Sequence, residues 1–206
     1  MDNPIHIHQL FPKIIARTKL GLSQEQEINL VDIYNKTEFV KTKPNIKNEV
    51  SMSSSLDVIS DIQFLKEKIL KVFNSYKNNF LKLNNTDFKI TSSWFTKSKA
   101  NQNNNFHKHS NNDFSMVYYF NNYGDVRLTF EDFNPGHNRE LIPTEELDHN
   151  VVSKTFELKN DELIIFPSEL YHKIESFEGH DIRKSLALNL TAIGEFGFGD
   201  SKINVK

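Results

Sequence analysis

A chain of 206 residues with 25 basic and 27 acidic side chains is long enough for one domain with a full core, and its near balance of charge gives no case for a nucleic-acid or acidic-membrane partner. It has no cysteine, which excludes a disulfide framework and any thiolate metal site. The opening stretch MDNPIHIHQLF lacks the basic and apolar regions of a signal peptide, and no window approaches the ~18 apolar residues of a membrane span, so a soluble cytoplasmic domain is expected.

QLFPKIIARTKL (9–20) is a short apolar run that predicts an opening strand. In LSQEQEINLVDIYNK, Ser23 stands as an N-cap with Gln26 three residues on, a capping-box pattern that predicts a helix over 24–36. Residues 41–55, polar with a proline and a serine run, read as a loop. Apolar residues at 58, 62, 65, 69, 72/73, 76 and 80 recur at helical spacing and predict a long amphipathic helix over 56–82, whose stripe needs a sheet to cover. Beyond it come short β-rich runs at 88–97, 114–121, 125–131, 151–158, 162–167, 171–177 and 184–192, separated by Asn, Asp, Gly and Pro. Two helices followed by such strands predict a mainly β, α+β chain with a sandwich or barrel as its body. Residues 131–150 are long and irregular, as in a lid or binding loop, and 195–206 reads as a fraying tail. The expected division is one domain over 1–206: an N-terminal strand and helical support (1–85), a barrel core (86–192) and the tail (193–206).

Three stretches can carry chemistry. In NNFHKHSNNDFSMVYYF (104–120), His107 and His109 are two residues apart. If extended, their side chains share a face ~6.5–7 Å apart and can converge on one ion, and histidine is the commonest metal ligand. The HIH at 6–8 repeats the spacing but is given no role. In NDELIIFPSELYHKIESF (160–177), a strand, Pro167 and a short corner deliver His172 to the start of the next strand; alone it reads as a half-buried strand-end histidine. In IRKSLALNL (182–190), alternation puts Arg183, Ser185, Ala187 and Asn189 on one face and the leucines on the other. An inward guanidinium needs a partner, so Arg183-x-Ser185 reads as a structural ion pair or as a carboxylate clamp, for which the fork of arginine is suited. Trp94 and most of the 17 Phe read as core, and His137, His149 and His180 as solvated.

Together these blocks resemble the non-haem Fe(II)/2-oxoglutarate dioxygenases, and most closely a bacterial and phage group of such oxygenases. That group has an N-terminal "lFP", an "sW" strand, "N-x-H-x-H" ahead of "SGVYYL", then "FPswlxH" and "RxSxsxN". The counterparts are LFP (10–12), SSW (92–94), NFHKHSNNDFSMVYYF (105–120), NDELIIFPSELYH (160–172) and RKSLALN (183–189). Met116, Ser110 and Asn160 depart from the group's usual Gly, Pro and turn Gly; Asn tolerates the left-handed backbone such a turn uses.

The resemblance implies a double-stranded β-helix (a cupin-like jelly roll) with two N-terminal helices packed on the major sheet. It implies Fe(II) held by His107 and His172, with His109 where the wider superfamily has a carboxylate. Asp113 or a water is the alternative third ligand. It further implies that Arg183 and Ser185 hold the far carboxylate of 2-oxoglutarate, with Tyr119 placed on the same carboxylate. The activity implied is an O2-consuming dioxygenase, a hydroxylase of prolyl-peptide type among the options, in the cytoplasm of a bacterial or phage-infected cell. The primary substrate, a peptide or a small molecule, and a homodimeric state stay open. A cupin-type metal enzyme without 2-oxoglutarate would not need the Arg183 clamp. A non-catalytic jelly roll, such as a virion or sugar-binding module, would pair Arg183 with a protein carboxylate.

Overall fold

The computed structural model describes residues 12–41, 50–122, 126–133, 144–178 and 182–206. The HIH motif, residues 9–11, His137, His180 and much of the 131–150 loop lie outside them. The opening strand is β1 (Ala16–Lys19). Helix α1 (Gln24–Lys36) begins where its capping box predicts: Ser23 Oγ accepts from Gln26 N at 3.2 Å and Gln26 Oε1 accepts from Ser23 N at 3.1 Å. Such a cap contributes ~1 kcal/mol.

Helix α2 (Gln63–Asn79) is shorter than the periodicity predicts. Val58 and Ile62 are buried as that pattern requires, but the backbone before residue 63 is committed elsewhere. Ser93, in β4 (Asp87–Ser98), donates its N–H to Leu56 O at 2.8 Å and accepts at its carbonyl from Val58 N at 3.2 Å. Ser93 Oγ also accepts from Ile59 N at 2.9 Å. The segment is thereby tied to the sheet, turns once at Ile59–Asp61, and only then becomes helical.

The stretch read as a loop holds β3 (Ser51–Ser53), which pairs with β2 (Phe39–Lys41) on one side and β4 on the other. The remaining strands are β5 (Phe114–Tyr119), β6 (Val126–Glu131), β7 (Ser153–Leu158), β8 (Glu162–Pro167), β9 (Tyr171–Ile174), β10 (Arg183–Phe196) and β11 (Ile203–Val205). The tail corrects the expectation of fraying, since β11 pairs with Gly194–Phe196. The left-handed turn residue before β8 is Asp161 (φ 67°) rather than Asn160. Its carboxylate is held there, accepting from Tyr118 Oη and from Gly21 N, both at 2.9 Å.

The strands form a large sheet in the order β1-β8-β5-β10-β4-β3-β2 and a small one, β7-β6-β9. From β5 onward the chain crosses between them, which makes the expected jelly roll. Period-two alternation gives the large sheet two different faces. Its outer face packs Met116, Tyr118, Leu163, Ile165, Leu186, Leu188 and Leu190 against Leu30 and Tyr34 of α1 and Leu65, Ile69 and Phe73 of α2. Each such fully buried side chain contributes roughly 1.5–3 kcal/mol. Its inner face, with the small sheet, encloses Tyr119, Val126, Leu128, Phe130, Leu158, Ile164, Phe166 and Ile174. The polar side of β10 opens into this second interior.

Candidate metal and carboxylate site

The segment carrying His107 joins the small sheet through an antiparallel bridge to His172 in β9, and His109 N donates to Ser168 O at 3.0 Å just beyond β8. These contacts bring three imidazoles together, their ligand nitrogens within 4.8 Å of one another, a group that could hold a metal ion. The Nδ1 atoms are all engaged: His107 with Asn105 O at 2.9 Å, His172 with Leu170 O at 2.9 Å, and His109 with Asn189 Oδ1 at 2.6 Å. An oxygen acceptor requires each Nδ1 to carry the proton, which leaves the lone pair on Nε2 for an ion.

Burial, reinforced by the charge of His107, pushes His172 down to about 3 and His109 down to about 4, even though Asn189 and the Leu170 carbonyl pull the other way. Both rings are neutral at pH 7, the form that ligates. Phe130 and Phe166 pack on His172, with ring centroids 5.8 and 4.7 Å away. Asp113 is outside this group: its carboxylate accepts from Ala192 N at 2.7 Å and it is exposed.

The cosubstrate candidates lie on the same interior face. Ser185 stands opposite Tyr119 in the β10–β5 register, and Arg183 is two residues along. All three are buried. Arg183 Nη1 donates to Glu175 O at 2.7 Å, its guanidinium lies 4.9 Å over the Phe177 ring, and Nη2 is buried without a hydrogen-bond partner among the described residues. Among the described residues no carboxylate forms an ion pair with it. Burial lowers its pKa to about 10, with Tyr119 opposing, so it stays charged at pH 7. Burial raises the Tyr119 phenol, which stays protonated and able to donate. An arginine with an orphaned donor and a protonated phenol fits an incoming carboxylate, because buried polar groups otherwise find partners.

A cleft of about 430 Å³ opens beside the histidines, lined by His107, His109, Trp94, Asn189, Met52 and Lys108 among others, with no carboxylate among the described residues of its lining. Trp94 is not a core residue. It is half-buried and stacks on His109, centroids 5.5 Å apart and planes at 22°. Sequence reasoning also missed the role of Asn189, although its parity with Arg183 and Ser185 marks it as facing inward.

Residues 92–189 match the family model described as "Putative 2OG-Fe(II) oxygenase". No curated protein matches the chain. Among solved structures, a 2OG-Fe(II) oxygenase-family oxidoreductase from Burkholderia pseudomallei superposes with a TM-score of 0.59 at 8% identity, covering 88% of this chain and 86% of that one. A prolyl hydroxylase from Trichoplax adhaerens, in complex with a hypoxia inducible factor peptide fragment, gives 0.57 at 11% identity, covering 86% and 83%. The epimerase SnoN, in complex with Fe3+, alpha ketoglutarate and nogalamycin RO, gives 0.60 at 9% identity, covering 93% and 81%. At these identities the three share the fold. The matched stretch 92–189 spans all the candidate site residues, so the site lies wholly within the part of the chain that resembles the 2OG-Fe(II) oxygenase family.

Proposed function

We propose that the protein is an Fe(II)- and 2-oxoglutarate-dependent hydroxylase in which Nε2 of His107, His109 and His172 hold the iron. Arg183 takes the far carboxylate of 2-oxoglutarate, with Ser185 and Tyr119 beside it. The observation that carries the reading is Arg183 Nη2, a buried, charged donor with no partner among the described residues. A jelly roll that used this arginine for stability alone would supply a carboxylate, and a cupin without 2-oxoglutarate has no use for one there.

When bound, the iron would couple decarboxylation of 2-oxoglutarate to oxidation of a substrate C–H bond by O2. The chain's own residues bind and orient. Nδ1 contacts keep the three Nε2 lone pairs directed together, Arg183 fixes one end of the cosubstrate, and Phe130 and Phe166 keep water from the buried side of His172. Three neutral imidazoles leave the metal one unit more positive than a set with a carboxylate, which strengthens its hold on the dianionic cosubstrate.

The primary substrate enters by the cleft. Its lining of Asn103, Asn104, Asn105 and Trp94, beside Lys108, suits a group rich in amides, such as a peptide segment. The prolyl hydroxylase likeness agrees with this choice, and the epimerase likeness marks the alternative outcome on the same fold. On this reading the enzyme works in the cytoplasm, where Fe(II) and 2-oxoglutarate are both at hand.

The test is an anaerobic titration of Fe(II)-loaded protein with 2-oxoglutarate, watching for the visible charge-transfer band of the chelate. The band appears with the native chain and is lost with Arg183→Ala. Its absence from the native chain overturns the proposal.

A further inference from the structure

A ligating imidazole has to be held by its other nitrogen, and the three candidate ligands are not held alike. His107 and His172 each turn Nδ1 to a backbone carbonyl two residues earlier in their own segment. His109 turns Nδ1 to a side chain 80 residues away, Oδ1 of Asn189 at 2.6 Å. Its ring is therefore the one whose orientation a substitution elsewhere can change.

Asn189 is itself pinned. Oδ1 accepts a second bond, from Ser115 Oγ at 2.9 Å, and Ser115 Oγ lies 2.8 Å from Ser168 Oγ. Nδ2 donates to Ser92 Oγ at 3.1 Å. The residue is 6% exposed, so β4, β5 and β10 clamp the amide from both sides. Trp94 stacks on the face of the same imidazole, which leaves His109 held at one edge and one face.

We propose that Asn189 is the positioning residue of His109, its Oδ1 fixing the imidazole as the Nδ1–H tautomer so that Nε2 faces His107 and His172. This rests on the reading of His109 as a ligand. The opposite orientation of the amide, Nδ2 towards the ring, would move the proton to Nε2 and abolish ligation. Tautomer and metal affinity are therefore tied to one side chain. A carboxylate in its place would accept the same Nδ1–H and add the negative charge that the three-histidine set lacks, with the Ser92 hydroxyl turning to donate.

The experiment uses the full chain and Co(II) alone as the probe, by calorimetry, together with imidazole 15N spectra of the metal-free protein. In the native chain His109 is the Nδ1–H tautomer. Asn189→Ala loses that preference, and its Co(II) affinity falls ~10–100-fold, the usual cost of removing such a partner. Asn189→Asp keeps the tautomer and binds at least as tightly as the native chain. An Nε2–H tautomer at His109 in the native chain overturns the proposal, as does an Asn189→Ala variant with unchanged tautomer and affinity. If Asn189→Ala does not fold, Asn189→Asp decides, and a loss of more than about tenfold overturns the proposal. His109→Ala separates the two levels. If it leaves Co(II) affinity unchanged, the ligand reading itself has failed. If it weakens binding while Asn189→Ala does not, only the positioning role has failed.

Discussion

His107 and His172 exchange both backbone hydrogen bonds, N to O at 3.0 Å one way and 2.9 Å the other, and their rings lie 4.4 Å apart. The pair is a rung of the small sheet, so the spacing of the two imidazoles is set by the main chain and survives loss of either ring. His107→Ala and His172→Ala should each fold with a cooperative melt, yet bind Co(II) at least ~100-fold more weakly, about 2.7 kcal/mol. Calorimetry reads the loss, and unchanged affinity in either variant would remove that residue from the ligand set.

The metal-free protein should lose stability in acid. His109 and His172 are held at about 4 and about 3 when folded against ~6.5 when unfolded, so below neutrality the unfolded chain binds more protons. Their contribution is fully present above ~pH 6.5 and is lost as pH falls towards those folded values. Urea melts at pH 7.5 and 5 should show a lower midpoint at pH 5, and His172→Gln should flatten the difference. An equal midpoint at both pH values in the native chain would contradict the burial of these rings as neutral groups.

Arg183 carries a stability cost that function explains. A buried guanidinium with one nitrogen unpaired among the described residues is less favourable than an apolar side chain of similar volume. Arg183→Met should therefore melt at a higher temperature than the native chain while losing 2-oxoglutarate binding. Arg183→Lys keeps the charge but not the fork, and its affinity for 2-oxoglutarate should fall roughly 10–100-fold, about one charged hydrogen bond. Calorimetry with 2-oxoglutarate and a thermal melt on each variant check both halves. A destabilised Arg183→Met would point to a structural role.

Asp113 and His109 can be told apart directly. The Asp113 carboxylate caps Ala192 N, so Asp113→Asn should leave Co(II) affinity unchanged and cost at most ~1–2 kcal/mol of stability. His109→Asp restores the carboxylate of the commoner facial triad and should retain metal binding, where His109→Ala weakens it. Loss of binding in Asp113→Asn alone would reverse the assignment.

Trp94 is the single tryptophan of the chain and stacks on His109. Its emission should be quenched as Co(II) is added, with a midpoint matching the calorimetric one, and Zn(II), which has a filled d shell, should quench much less. Calorimetric binding without quenching would place the ion elsewhere.

What was legible in the sequence followed from periodicity and spacing. The capping box at Ser23 and Gln26 located α1 to the residue, and the alternation of β10 separated Leu186, Leu188 and Leu190 from Arg183, Ser185 and Asn189 before any contact was known. Where the reading failed, a nonlocal contact had overridden a local pattern. Val58 and Ile62 carry a helical spacing, but Ser93 takes the hydrogen bonds a helix start would need. Residues 203–205 alternate Ile203 and Val205 about Asn204, but the run is too short to stand out as a strand, and it forms by pairing with β10. Trp94 looked like core because an indole usually is; that its ring meets an imidazole depends on a strand pairing no short window contains.

The two-sided character of β10 has a practical corollary for anyone selecting variants. A screen for soluble expression would report on positions 186, 188 and 190 and pass over 183, 185 and 189. A screen for turnover would see both sets and could not distinguish them. Run in sequence on one library, the two screens would sort neighbouring codons into alternating classes, and that alternation would reveal which side of the sheet the chemistry occupies without any ligand having been identified.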